Sequence, residues 1–395
     1  MEDVDSIFIN TINRSSRCNG KSGTEKYNGN DERSGRYPFV KALSMSGGDG
    51  DNSYSTNSLL QKRVIRKVKP VLVKNTQGMM KNLNFPNYIK VADLGCATGQ
   101  NTFLTMSEIV NTITVLCQQC NQKLPEIDCC LNDLPCNDFN TTFKFIAFFN
   151  KIVKSKGLCF VSGSFYSRLF PSKSLHFVHS SYSLHWLSKV PKGLEKDTSC
   201  VYITASSPPS TYKAYLTQFQ SDFTTFLKMR SEEMVWNGRM VLTFIGRETI
   251  DDPLHRDCCH FWTLLSTSLR DLVSEGLVSA SKVGPFNMPF YDPSKEEAIE
   301  MIRKEGSFEI NDLEIHGFDL HQSNYDEDYK LHSQKSKAGE KEAKCIRAVS
   351  ESLLVAHFGV DVMDTLFNKF AYHVSQHTSC TNKTTVSLVV SLIRK

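Results

Sequence analysis

The stretch Val91-Ala92-Asp93-Leu94-Gly95-Cys96-Ala97-Thr98-Gly99-Gln100-Asn101 runs an apolar segment into a turn that carries two glycines and an acid just before the first. A buried strand, a tight turn and a helix start are implied. Glycine reaches positive φ and lets the backbone approach a ligand closely, and the helix start beyond it offers unpaired N–H groups. Such a turn suits part of a nucleotide-like ligand. It departs from the dinucleotide fingerprint, because Gly-x-Gly is missing and the carboxylate of Asp93 precedes the first glycine. A carboxylate would repel the diphosphate of NAD and favours a cation, so S-adenosylmethionine (SAM), with its ammonium and sulfonium, fits better. An ordinary strand-to-helix turn is the alternative that this stretch alone leaves open.

A second acidic strand end sharpens the reading. Ile127-Asp128-Cys129-Cys130-Leu131-Asn132-Asp133-Leu134-Pro135 reads as a short buried strand, and Asp133 lies 40 positions after Asp93. Thr102 to Gln119 is helical by its apolar spacing. A strand–helix–strand unit then sets Asp133 beside Asp93 at the carboxyl edge of a parallel sheet, where such folds bind ligands and a carboxylate can hold ribose hydroxyls. The interval exceeds the roughly 20 residues usual in dinucleotide folds, so spacing alone does not choose the cofactor.

Composition sets the outer bounds. With 395 residues and 40% hydrophobic content, the chain can bury a large core, as one large domain or two intimate ones. A net charge of +4, evenly spread and without a basic-aromatic stripe, argues against nucleic acid. No secretory signal or membrane span is read, and the thirteen cysteines lack metal-site or disulfide spacing. Reduced thiols in a soluble cytoplasmic protein are expected.

Residues 1–38 read as a flexible tail, since Asn10 to Arg36 is rich in Ser, Asn, Gly, Lys and Arg. Asn57 to Val73 is an amphipathic basic helix, and Tyr88 to Leu94 and Asp128 to Leu134 are strands. Leu158 to Ser162, Ser174 to His179, Cys200 to Thr204 and Arg239 to Ile245 are read as further strands. The alternation predicts an α/β fold with a mostly parallel sheet and helices on both faces over 39–250. Over 251–383, helical patterns flank a proline-punctuated loop, Val283 to Pro293, and continue in Ala343 to His373. That region is expected to form a helical cap, with a mobile insertion at about 321–341, and 384–395 to return as a strand.

Five ordered blocks carry a resemblance: Ser44-Met-Ser-Gly-Gly-Asp-Gly-Asp-Asn-Ser-Tyr-Ser-Thr-Asn-Ser, Asp93-Leu-Gly-Cys, Asn132-Asp-Leu-Pro-Cys-Asn-Asp-Phe-Asn, Gly163-Ser-Phe-Tyr-Ser-Arg-Leu-Phe-Pro and His179-Ser-Ser-Tyr-Ser-Leu-His-Trp-Leu-Ser. From about Phe39 to Lys395 the chain resembles the plant SABATH methyltransferases, which use SAM to methylate small carboxylic acids or ring nitrogens. It looks most like the benzoate/salicylate carboxyl methyltransferases, with close matches in Phe39-Val-Lys-Ala-Leu, Lys189-Val-Pro and Thr384-Thr-Val-Ser-Leu-Val-Val-Ser-Leu. The resemblance implies a Rossmann-like SAM-dependent methyltransferase fold, a homodimer, and methyl transfer to a small aromatic acid by positioning, without a general base. A jasmonate-, nicotinate- or terpenoid-like acid, or a weakly active paralogue, are the alternative readings.

The same resemblance assigns parts. Ser58 and Asp93 match positions near the methionine end of SAM, with Tyr182 near the same moiety; Asp133 matches the ribose-binding acid, with Leu134 beside it; Ser164 and Phe165 match adenine-side contacts. Gln61 and Trp186 match donors to the acceptor carboxylate, and Ile245, Phe261, Trp262 and Ile346 match an apolar wall. His185 aligns with a position held by methionine in salicylate-preferring relatives and by histidine in those accepting benzoate. Mg2+ near Phe286 and Asn287 is a further expectation. Three features depart from the family pattern: Ser46, Glu351-Ser352-Leu353, and Phe160-Val161-Ser162 running into Gly163 without the usual Gly-x-Pro. The short lead-in is expected to pull Ser164 and Phe165 out of register and to weaken SAM binding.

Overall fold

A computed structural model describes residues 42–152, 156–194, 200–204, 207–247, 259–319, 339–378 and 384–395. The tail expected over 1–38 and most of the insertion expected at 321–341 lie outside them. In chain order the elements are α1 (Tyr54–Asn57), α2 (Leu59–Asn82), β1 (Tyr88–Leu94), α3 (Asn101–Gln119), β2 (Glu126–Asp133), α4 (Phe139–Phe143), α5 (Ile146–Ile152), β3 (Lys156–Ser162), β4 (Leu175–Ser181), α6 (Pro209–Glu233), β5 (Met234–Ile245), α7 (Cys259–Ser274), α8 (Ala280–Val283), α9 (Lys295–Glu305), β6 (Phe308–Asp319), α10 (Glu340–Phe358), α11 (Met363–Thr378) and β7 (Thr384–Arg394). None of the described helices is long and apolar enough to cross a membrane.

The sheet has seven strands in the order β3-β2-β1-β4-β5-β7-β6. β1 through β5 pair in parallel, and β7 enters antiparallel between β5 and β6. Ile89, Val91, Ala92 and Leu94 are fully buried, as expected of a central parallel strand covered on both faces. α2 presents Val64, Val68, Val71, Leu72 and Met79 inward at helical spacing. It runs on past Val73, through Pro70 on its exposed side, to Asn82.

Strand order reverses between β1 and β4, which opens a crevice at the carboxyl ends of the strands. The β1–α3 turn at its floor needs Gly95: φ is +75°, and a Cβ there would stand 2.3 Å from Ser183 Oγ.

Three expectations need correction. Cys200 to Thr204 is not a strand. Val201, Tyr202 and Ile203 are apolar because they are buried under the cap, where Val201 accepts from Met288 N at 2.7 Å and Tyr202 donates to Asp292 at 2.7 Å. Conversely, the region assigned to the cap contains β6, an edge strand whose Glu309, Asp312 and Glu314 break the apolar alternation. Of the expected mobile insertion, Glu340 and Lys341 instead open α10. The cap helices α7, α10 and α11 bury Leu265, Leu269, Leu354 and Phe370 in one cluster with Leu242 and Phe244 of β5, so cap and sheet share a core.

Candidate active site

A cavity of about 510 Å³ sits over the crevice. The β1 turn contributes Gly95 and Ala97, the end of β2 Asp133 and Leu134, the segment after β3 Ser164, Phe165 and Tyr166, and the segment after β4 Tyr182, His185 and Trp186. Gln61 enters from α2, Ile245 from β5, Phe261 and Trp262 from α7, and Ile346 from α10. Of the residues expected to bind SAM or the acceptor, all but Ser58 and Asp93 therefore line this one cavity.

Asp133 is a preformed acceptor. Its Oδ2 accepts from Ala97 N and its Oδ1 from Leu134 N, both at 2.7 Å. Each oxygen keeps a lone pair for a donor in the cavity. Burial pushes its carboxyl up to about 6, despite the two backbone donors, and the Asp93 charge adds to the shift.

Asp93 and Ser58 lie behind the wall. Asp93 Oδ2 accepts from Thr102 Oγ1 at 2.5 Å, and Oδ1 is 2.7 Å from His179 Nδ1, opposite it in the strand register. Ser58 Oγ accepts from Asn101 Nδ2 at 2.9 Å. Asp93 thus ties β1 to β4 and α3, and its charge acts on the cavity from beneath.

Another part of the lining is an aromatic cluster. The Phe290 ring lies 4.9, 5.6 and 5.5 Å from those of His185, Trp186 and Trp262. The proline-punctuated loop brings it there by pairing with the 185–187 segment: Leu187 N donates to Pro289 O at 2.7 Å and Tyr291 N to His185 O at 2.8 Å. Burial pushes the His185 ring down to about 3, so it is neutral at any physiological pH. Its Nδ1 accepts from Ile245 N at 3.2 Å, which leaves the proton on Nε2. Tyr166 donates to Trp186 O at 2.8 Å and steadies that segment. Gln61 Oε1 and Trp262 Nε1 are buried without a hydrogen-bond partner, a cost of about 1–3 kcal/mol each.

The short lead-in at Gly163 is held by hydrogen bonds on both sides. Gly163 N donates to Asp133 O at 2.9 Å, and Asn132 Nδ2 spans Val161 O and Gly163 O at 2.8 and 2.9 Å. Beyond it, the fully buried Arg230 of α6 donates to Phe165 O at 2.8 Å and Ser167 O at 2.9 Å. Its Nε pairs with Glu233 at 2.8 Å, and Glu233 accepts from Leu169 N and Phe170 N. Ser164 and Phe165 line the cavity with Asp133, and this clamp holds the segment from the α6 side.

Sequence reasoning missed Tyr54, Tyr166, Phe290 and Arg230. Tyr54 is buried on the cavity wall, and both it and Tyr166 stand inside the quoted blocks. No such signal marked Phe290, which reaches the cavity from the proline-punctuated loop, or Arg230, which holds the Phe165 carbonyl from α6. The other two departures meet: Ser46 Oγ lies 3.5 Å from Glu351 Oε2, and Ser46 N donates to Ala348 O at 2.9 Å. The Mg2+ expectation finds no suitable ligands. Phe286 packs on His357 and Phe358 at 5.0 Å, Asn287 brings one carboxamide, and no group of three or more His, Cys, Asp or Glu suited to a metal occurs among the described residues.

The chain is similar to known proteins along most of its length. The profile of the SAM dependent carboxyl methyltransferases matches residues 40–395. A salicylate/benzoate carboxyl methyltransferase of Arabidopsis thaliana is 63% identical, covering 99% of this chain and 100% of the relative. A benzoic acid/salicylic acid carboxyl methyltransferase of Petunia hybrida is 44% identical, with 90% and 99% covered. The solved structure of a loganic acid methyltransferase with SAH shares the fold at a TM-score of 0.76 and 32% identity, covering 89% of this chain and 98% of that one. The match spans the sheet, the cap and both acidic strand ends, and the chain belongs to the family of SAM-dependent carboxyl methyltransferases.

Proposed function

We propose that the protein methylates the carboxylate of a small aromatic acid, benzoate or salicylate, by positioning alone. The uncharged aromatic cluster of His185, Trp186, Trp262 and Phe290 carries this reading. SAM, when bound, supplies a methyl group made electrophilic by its sulfonium. A carboxylic acid has its pKa near 4 and is already ionised at neutral pH, so its oxygen needs no base, and neutral His185 is not asked to be one. Attack annihilates charge. A guanidinium or ammonium clamp would hold the anionic ground state more tightly than the transition state, whereas neutral N–H donors orient the carboxylate at a smaller penalty. Gln61 and Trp186 act as those donors; Ile245, Phe261, Trp262 and Ile346 exclude water, which favours meeting of opposite charges. Asp133 holds the ribose with Leu134 alongside, Ser164 and Phe165 face the adenine, and Tyr182 borders the methionine end, with Ser58 and Asp93 bracing it from behind. The homodimer and the cytoplasmic setting are part of the same proposal, on the family resemblance.

The test is transfer of radiolabelled methyl from SAM into a panel of benzoate, salicylate, nicotinate and jasmonate. Benzoate and salicylate esters should form at about 1 s⁻¹ or faster, and the clamped 163–170 segment favours this over a weakly active paralogue. Preferred esterification of jasmonate or nicotinate would overturn the acceptor, and failure with every acid would overturn the activity. Trp186→Phe keeps most of the apolar volume and deletes the indole N–H. It should raise KM for benzoate and lower kcat several-fold; wild-type kinetics would make Trp186 a packing residue. His185→Met removes the Nε2 donor and should move the benzoate-to-salicylate ratio of kcat/KM toward salicylate. An unaltered ratio would remove His185 from acceptor selection.

A further inference from the structure

Two cysteines outside the cavity carry chemistry that methyl transfer does not use. Cys130 of β2 and Cys159 of β3 stand directly opposite in the parallel register, so their side chains leave the same face of adjacent strands. Neighbouring strands lie about 4.8 Å apart, inside the ~4.4–6.8 Å Cα separation that a disulfide spans. The register therefore sets the two thiols side by side. Cys159 is exposed on the edge strand and Cys130 is buried behind it. The neighbouring Cys130 thiol holds the Cys159 thiol below its ordinary range and the Lys90 ammonium helps, against partial burial and the Asp128 carboxylate. An exposed thiol held below its ordinary range, with a buried thiol directly beside it in register, is the arrangement of an attacking and a resolving cysteine.

We propose that Cys130 and Cys159 are a modification site, a dithiol that hydrogen peroxide converts to a disulfide through Cys159. The Cys159 thiolate attacks the peroxide O–O bond, releasing hydroxide and forming a sulfenic acid in a two-electron oxidation of sulfur. Cys130 then attacks that sulfur; the S–S bond forms, the S–O bond breaks, and the Cys130 proton leaves with the oxygen as water. In sum, two thiols and one peroxide give one disulfide and two waters. A dithiol reductant reverses it by exchange. The bond ties the edge strand to the sheet just below Asn132, whose carboxamide already bridges Val161 O and Gly163 O.

The full chain is treated with a few equivalents of hydrogen peroxide, alkylated, digested and mapped by mass spectrometry. A peptide linked through Cys130 and Cys159 should appear ahead of any other linked pair and vanish with dithiothreitol. The oxidised protein should also unfold several degrees higher, because the new bond constrains the unfolded chain. Cys130→Ser should stop the reaction at a Cys159 sulfenic acid that dimedone captures. Cys159→Ser, at an exposed position that folding tolerates, should abolish the linked peptide and leave Cys130 reduced. A wild-type Cys159 that stays reduced, goes to sulfinic acid without linking, or pairs with another cysteine would overturn the proposal.

Discussion

Asp133→Ala is expected to weaken SAM binding about a hundredfold while leaving the protein folded. A carboxylate holding both hydroxyls of a ribose makes charge-assisted hydrogen bonds worth about 1.5–3 kcal/mol each, and two factors of ten amount to about 2.8 kcal/mol. Its two oxygens are fixed by Ala97 N and Leu134 N at 2.7 Å, so no ordering cost remains when a diol arrives. The substitution removes one side chain at the end of β2 and leaves the register with β1 and β3 untouched, so the thermal transition should shift by only a few degrees. Titration supplies an independent check. With its carboxyl raised to about 6 by burial, Asp133 is protonated below that pH and loses acceptor strength, so SAM affinity should fall as pH drops through about 6. Donors from the diol favour the charged form, so binding near pH 6 should release protons, visible as a buffer-dependent calorimetric enthalpy. A folded Asp133→Ala variant with wild-type affinity, or a flat affinity profile between pH 5 and 7, would remove Asp133 from the cofactor site.

What could be read from the sequence was local. Asp93 through Gly99 announced a strand, a turn and a helix because each of those residue types constrains its own backbone, and Gly95 occupies the positive-φ position that the turn demands. Asp133 was legible for a similar reason: a carboxylate after a buried apolar strand needs a partner. Pairwise tertiary contacts were not legible. The apolar character of Cys200 to Thr204 reports burial against the cap, which a strand would share, while the acidic residues of β6 hide a strand because its edge faces solvent. The partners of Asp93 within the protein, Thr102 and His179, were not legible either; His179 becomes its neighbour only through the β1–β4 pairing.

Arg230→Met is expected to produce the largest loss of stability of any variant considered. Arg230 and Glu233 have 0% relative exposure, positions where a helical sequence pattern would put apolar side chains. Removing one partner of a buried ion pair strands the other charge, at a cost of about 3–5 kcal/mol. Here it also frees the Phe165 and Ser167 carbonyls that Arg230 engages at 2.8 and 2.9 Å. The variant should unfold well below the wild type and bind SAM at least tenfold more weakly, because Phe165 belongs to the cavity wall. Arg230→Met/Glu233→Leu should recover part of the stability, since no uncompensated charge remains, but not the SAM affinity, because the 165–170 backbone stays unheld. The same clamp bears on the short lead-in. If Asn132 and Arg230 fix the segment from both sides, inserting Gly-Ala-Pro between Ser162 and Gly163 should bring no gain in SAM affinity. A marked gain on insertion, or an Arg230→Met protein with unchanged unfolding temperature and SAM affinity, would show that the wall is positioned by something other than this buried pair.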